Sequence, residues 1–476
     1  MVHLNRCPGY RWPMGAHDSL WNDDSLGAGE QRVSAGRTGG FDLKDDLEWD
    51  VVVVGAGYSG LWTAHYLLDH DPELRIAIIE REFAGFGASG RNGGWCIGEL
   101  AAGYDKLAAA SDTAGALALM RAVFDSVDEV GRVAAASGID CDFSNGGALR
   151  LARTAAQLAR QHEEAEHMRS LGFTDDDFRL LDAGEATAMM ASPGVRGGLF
   201  FAHAAALHPG KLVRGLADLM VGRGVALFEQ TAARAIEPGR VLTDRGIVRA
   251  PVIVRATEGY TRDLRGQRRS LVPWYSLMIA TEPLPDDVWD SIGLHDRQTF
   301  ADDRRLVIYG QRTADNRIAF GGRGAPYGFG SRIDASVESG SGTHDQIAAS
   351  LRELLPQVAD AKITHRWGGV LGIPRDWFPS VGFDHATGLG QLGGYVGEGV
   401  AAANLAGRTL ADLIVGADTE RTTFPWVHHR SRRWEPEPFR WLGINAVLRA
   451  AAYADQAEAR SDRPSRVGKM TDRLLG

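Results

Sequence analysis

Val51-Val52-Val53-Val54-Gly55-Ala56-Gly57-Tyr58-Ser59-Gly60, followed by a second apolar run from Arg75 that ends in Glu80, is the stretch whose reading decides the fold. A short β-branched run of this kind suits a strand buried on both faces. Gly55, Gly57 and Gly60 have the G-x-G-x-x-G spacing directly after it. In that spacing the first glycine makes the tight turn. The second lets backbone approach a pyrophosphate, and the third lets helix and strand pack closely. A helix over roughly 59–69 would offer its free N–H groups to phosphate. The strand 75–80 then ends in an acid able to accept from a ribose hydroxyl. Strand, glycine turn, helix, strand and acid together imply a bound dinucleotide.

Two more glycine clusters bear on the same ligand. Gly85 to Gly94, directly after Glu80, is backbone able to lie flat on a planar group, with Ser89, Arg91 and Asn92 as polar handles. Gly393 to Gly399 precedes an apolar helix over 400–415, and a glycine turn at a helix N-terminus suits an anion or an electron-rich carbonyl oxygen. The chain carries one complete fingerprint, so the late cluster is expected to close over the same cofactor as the first.

These segments, with Ala256-Thr257-Glu258-Gly259, Trp367-Gly368-Gly369 and Asp376-Trp377-Phe378-Pro379, resemble the D-amino-acid-oxidase superfamily of FAD enzymes. Within it the chain is most similar to the branch containing γ-glutamylputrescine oxidoreductase and other bacterial amine oxidoreductases. The resemblance spans about 45–420. It implies FAD rather than NAD, held at the pyrophosphate by Gly55, Ala56, Gly57, Tyr58, Ser59 and Gly60. Glu80 and Arg81 would meet the adenosine ribose. Gly87, Ala88, Ser89, Gly90, Arg91, Asn92, Gly93 and Gly94 would follow the ribityl chain and ring. Ala233 would meet adenine, Ala256 and Thr257 would pass near the pyrophosphate, and Gly369 and Tyr395, Val396, Gly397, Glu398 and Gly399 would border the isoalloxazine. Glu258 stands where the family often has a small or amide residue, which makes it either a substrate contact or an exposed acid.

The implied reaction is hydride transfer from a carbon beside an amine nitrogen to flavin N5. The resulting imine hydrolyses to an aldehyde or keto acid. Substrate would lie between the ring and an antiparallel sheet, with Tyr260, Tyr275, Tyr309, Arg323 and Tyr395 as candidate contacts. Tyrosines can cage an ammonium-bearing chain and arginine can clamp a carboxylate. His203 and His208 lie near the domain junction. Lys211 and Lys362 are the lysines whose regions could approach the ring and favour O2 over another electron acceptor. Two other enzyme classes compete: oxidation of a 2-hydroxy acid on the same fold, and a flavoprotein monooxygenase, whose late flavin motif Ser380–Asp384 does not match.

The expected architecture is α/β plus α+β: a Rossmann-like FAD-binding domain interleaved with a mainly antiparallel substrate domain. The FAD-binding part is expected over 45–105, 195–262 and 365–420, and the substrate part over 106–194 and 263–364. An arm over 1–44 is expected to lie on the surface, and a Trp-rich helical tail over 421–476. A strand is expected over 248–256, and the patterning of 305–322 reads as antiparallel strands turning at Ala314-Asp315-Asn316.

Composition sets the outer limits. The 476 residues are 44% hydrophobic and 24% charged, with a formal net charge of −9, which argues against nucleic-acid binding. Apolar runs fall short of a membrane span, and the N-terminus lacks the apolar core of a signal peptide, so a cytoplasmic enzyme is expected. Cys7, Cys96 and Cys141 make no C-x-x-C, and the histidines lack metal-ligand spacing. Cys96 reads as a small buried residue rather than a flavin attachment point.

Overall fold

The computed structural model describes residues 19–22 and 48–475, apart from 323, 326 and 339, and leaves the side chains of 472–475 undescribed. Val51–Val54 is fully buried and lies in the middle of a six-stranded sheet. Its neighbours are Ile76–Ile79 on one side and Val252–Arg255 on the other, both parallel to it. Ala226–Phe228 extends the sheet beyond 76–79 and Leu389–Gly393 beyond 252–255, again in parallel. Ser380–Asp384 is added antiparallel at that edge. The Tyr58–His70 helix makes the crossover between the first two strands and packs against the Gly399–Val415 helix. Gly407 makes that close approach possible: a Cβ there would lie 2.8 Å from the Trp62 Cβ.

The second layer is an eight-stranded sheet in the order 363–373, 272–281, 318–322, 308–312, 299–302, 148–152, 197–201, 178–182. Every pairing is antiparallel except 299–302 with 148–152. The hairpin joining 308–312 to 318–322 turns at the expected place, with Asn316 left-handed at φ 62°. Phe300, Phe320, Leu277 and Trp289 fill its core.

Four expectations are corrected. The strand expected over 248–256 is two strands in different sheets, Ile247–Arg249 and Val252–Arg255. Pro251, lacking an N–H, stands at the break. Gly197–Phe201, assigned to the cofactor domain, pairs within the substrate-side sheet, and so does Ile363–Ile373. Both change sides because strand pairing is set by distant partners, not by local pattern. The described part of the N-terminal arm, Ser19–Asn22, is not a surface segment: Leu20 and Trp21 are buried against Met278, Ala319 and Trp367. The tail is helical over Phe439–Ser461 and Arg466–Leu475 and clamps the substrate side, where Asp455 accepts from the backbone of Arg305 and Leu306.

Candidate functional site

The fingerprint residues form one end of an elongated cavity. Gly55 has φ +111°, and a Cβ there would lie 2.4 Å from the Ala256 carbonyl oxygen. At Gly60 a Cβ would fall 2.0 Å from the Gly55 oxygen, so helix and strand could not meet at their present spacing. Ser89 Oγ accepts from Tyr58 N–H at 2.9 Å, joining the first glycine turn to the second cluster. Glu80 accepts from Ala56 N–H at 2.9 Å and from Glu82 N–H at 3.0 Å. Burial raises its carboxyl above the usual range. It therefore shapes the turn while also lining the cavity, with lone pairs left for a ribose hydroxyl.

From Glu80 the cavity runs between Gly57, Ser59, Ser89 and Thr257 to Tyr395, Gly397 and Gly399, with Ala233 and Arg81 at the Glu80 end. Tyr395 Oη lies 3.0 Å from Ser59 Oγ, so the first and last glycine segments touch across the cavity. Glu258 closes the construction. Its carboxylate accepts from Gly394 N–H at 2.9 Å and Gly372 N–H at 3.3 Å, and burial pushes its pKa up to about 7. It is neither an exposed acid nor a contact in the substrate cavity: it staples the strand Ile363–Ile373 to the last glycine loop behind the ring position. Its own backbone is left-handed at φ 39°, a conformation costing a non-glycine residue about 1–3 kcal/mol.

A second cavity, of about 400 Å³, opens off the Gly397 end. Ala88, Asn92, Leu371, Gly397 and Val400 line both. Gly93, Gly369 and Glu398 form its cofactor-facing wall, and Ser276 and Tyr309 its sheet-facing wall. Tyr309 and Ser276 share a hydrogen bond of 2.8 Å. The rest of the lining is charged. Arg150 pairs with Glu164 at 2.5 Å and faces Asp303 at 3.7 Å. Arg304 pairs with Asp302, and Arg160 and Arg305 with Glu458. Arg91 is buried and pairs with Glu338 at 2.5 Å, while its Nε has no hydrogen-bond partner among the described residues. Glu99 lines this cavity and an adjoining one, makes no hydrogen bond or ion pair with a described residue, and is pushed by burial up to about 7.

The candidates separate on this geometry. Tyr309 lines the ring-side cavity, and Tyr395 the cofactor cavity. Tyr260 is corrected from substrate contact to cofactor-cavity wall, where Arg81 stacks on its ring at 4.6 Å. Tyr275 is a core residue: its Oη donates to the Asp334 carbonyl at 3.0 Å and accepts from Asp334 N–H at 2.6 Å. Arg323 lies outside the described residues. Val396 turns away from both cavities into a cluster with Val272 and Trp434. Gly60, Ala56 and Gly94 act through backbone packing rather than by lining: a Cβ at Gly94 would meet the Leu207 oxygen at 2.2 Å.

His203 pairs with Asp177 at 2.9 Å and stacks on Phe124. His208 caps the Pro209–Gly222 helix and is held neutral, its pKa pulled down to about 3 by burial. Lys211 is paired with Asp142 at 2.9 Å, away from both cavities, and Lys362 lines neither. Cys96 is buried in the core below the cradle and also lines neither. No motif in the sequence singles out Glu99, Arg150 or Asp303. Glu99 is five residues past Gly94, and that proximity was the one signal available.

The cradle fits FAD on its own terms. Glycines stand where any side chain would fill it, an acid sits at the ribose end, and a helix N-terminus borders the ring end. The model of the family described as FAD dependent oxidoreductase matches residues 50–413. Gamma-glutamylputrescine oxidoreductase of Escherichia coli (strain K12) is 32% identical over 399 residues, covering 82% of this chain and 89% of the relative. Glycine oxidase of Pseudomonas aeruginosa is 28% identical, covering 77% and 95%. Among solved structures, glycine oxidase from Geobacillus kaustophilus superposes with a TM-score of 0.68 at 20% identity, covering 80% of this chain and 99% of that one. The chain belongs to the FAD dependent oxidoreductase family, and FAD is its cofactor.

Proposed function

We propose that this FAD-dependent amine or amino-acid oxidoreductase takes an amine whose reacting carbon carries no carboxylate, and that Glu99 receives its ammonium group. The carrying observation is the charge pairing in the ring-side cavity. Each arginine that lines it among the described residues already has a carboxylate in an ion pair, whereas Glu99 makes no ion pair with a described residue and feels Arg150, itself paired with Glu164, only at longer range. A 2-hydroxy acid or 2-amino acid would need a free cation for its carboxylate. An amine needs a free carboxylate.

Bound FAD supplies the two-electron acceptor for a C–H bond beside nitrogen. The protein's part is positional. Gly93, Gly369 and Gly397 let the substrate carbon approach the ring face, and the hydrogen-bonded Tyr309–Ser276 pair backs it from the sheet. Glu99 accepts a proton from the entering ammonium, leaving the neutral nitrogen whose lone pair supports loss of hydride. The iminium product then takes up water and breaks down to an aldehyde and ammonia or a smaller amine. O2 or another acceptor removes the electrons. Mixing the reduced protein with air-saturated buffer and assaying peroxide separates those two.

Cytoplasmic placement is part of the proposal. Supporting it are the free, buried Cys96 and Cys141 and, among the described residues, the lack of any helix long and apolar enough to cross a membrane.

The test is anaerobic bleaching of the flavin by a panel of amines, 2-amino acids and 2-hydroxy acids. Amines bleach it, 2-hydroxy acids do not, and E99Q lowers kcat/KM for the best amine by roughly 10–100-fold, the worth of a charge-assisted contact. Bleaching by a 2-hydroxy acid but by no amine would refute the reading.

A further inference from the structure

Behind the glycine loop that closes over the ring lies a cavity of about 520 Å³ that the reaction does not use. It sits at the 380–384 edge of the nucleotide sheet, against the segment 428–433. Gly393 and Gly394 form its wall toward the cofactor. Its charges are one-sided. Arg255 reaches it from the sheet with two neutral partners, the side-chain oxygens of Gln267 at 2.9 Å and Gln391 at 2.5 Å. Arg430 and Arg433 reach it from the outer segment; neither makes a salt bridge to a described carboxylate, Arg430 attracting Asp384 at longer range. Arg265 and His429, also in the lining, are engaged by Glu237 and Asp376. The one acid in the lining is Asp384, which caps its own turn through Ala386 N–H and Thr387. A cationic pocket in a chain of net charge −9 is a local arrangement, not a reflection of composition.

We propose that this cavity binds a small, multiply charged oxyanion, held by Arg255 from the floor and by Arg430 and Arg433 from the rim. A volume of about 520 Å³ suits a ligand of metabolite size, and planar guanidinium groups favour phosphate and carboxylate oxygens. Occupancy is felt at the flavin loop. Arg255 and Glu258 attract one another, and Glu258 is the acid that staples Gly372 to Gly394. An anion that draws on the Arg255 charge acts on the staple.

Titration calorimetry of the holoenzyme with inorganic pyrophosphate and with citrate tests this, using sodium chloride at matched ionic strength as control. The expected result is saturable binding of at least one of the two, with a small shift of the flavin absorbance bands. Pyrophosphate alone marks phosphate chemistry, citrate alone marks carboxylate chemistry, and both mark a general oxyanion site. R255Q and the surface double variant R430S/R433S each weaken binding by tenfold or more, and the double variant leaves amine turnover unchanged. Three results would overturn the site: heat matched by chloride, no binding tighter than about 1 mM, or full binding by the double variant. Saturable binding with no change in the flavin spectrum would overturn the coupling to the ring loop. None of the overturning results needs an amine substrate, so the site stands or falls apart from the proposed reaction.

Discussion

At the scale of single residues, Glu258 shows how a position can be flagged by sequence and still be misread. Its type was unexpected for its place, and the two meanings available to such an acid were substrate contact or exposure. Neither anticipates a carboxylate accepting backbone N–H groups from Gly372 and Gly394, which lie 114 and 136 residues away. The consequence is a pH dependence with a definite sign. Burial raises the folded-state pKa from an ordinary 4.5 to about 7. Between those values the folded state holds more protons than the unfolded state, so stability falls as pH rises. The contribution is fully present below about 4.5 and is lost as pH passes through about 7, a span worth up to roughly 3 kcal/mol. Thermal melts from pH 5 to 8.5 should fall more steeply in wild type than in E258Q. The variant should also be less stable at pH 5, because its amide NH2 meets an N–H it cannot accept from. Identical slopes in the two proteins would show that Glu258 does not titrate in this range.

At the scale of elements, what could be read in advance was whatever local chemistry determines. The Thr113–Ala136 helix is bounded by such local chemistry: Asp112 caps one end by accepting from Gly115 N–H at 2.7 Å, and left-handed Gly138 stands just past the other. The glycine clusters were legible for the same reason: their function depends on spacing within ten residues. What was missed depends on distant partners. Strand 197–201 is assigned by pairing with 148–152, and Ser19–Asn22 by a pocket whose walls come from 278, 319 and 367. That four-residue element has a measurable role. Trp21 Nε1 donates to the Asn92 carbonyl at 2.7 Å, and Trp367 Nε1 donates to the Arg91 carbonyl at 2.9 Å. Two indoles therefore hold consecutive carbonyls of the loop that faces the ring. Trp21→Phe keeps most of the packing but leaves the Asn92 carbonyl without this donor, a loss of about 1–3 kcal/mol. Because the loop forms the FAD site, FAD should bind roughly tenfold more weakly, measured by flavin fluorescence during dilution. Unchanged affinity with a lowered melting temperature would make Trp21 a packing residue only.

At the scale of the whole molecule, the cofactor cavity is where the two layers meet. Its walls come from the nucleotide sheet through Gly55 and Thr257, from the second sheet through Val370 and Leu371, and from the last glycine cluster through Tyr395 and Gly397. A ligand touching segments about 340 residues apart in sequence binds the folded chain and not the unfolded one, so it stabilises by mass action. The linkage also depends on the bond being noncovalent. Cys96, the cysteine nearest in sequence to the ring loop, is packed in the core, and burial pushes its thiol well above the usual range, which disfavours the nucleophilic thiolate. Acid precipitation should therefore leave a yellow supernatant and a colourless pellet. With FAD at a thousandfold excess over its Kd the added stability is about 4 kcal/mol. For a chain this long, unfolding as one unit with an entropy of about 2.1 cal/mol/K per residue, that is a rise of roughly 4 °C in Tm over the stripped protein. The increment should grow with the logarithm of FAD concentration and return when FAD is added back. A pellet that stays yellow, or a Tm that ignores FAD concentration, would mean that the flavin is attached or that the cavity closes without it.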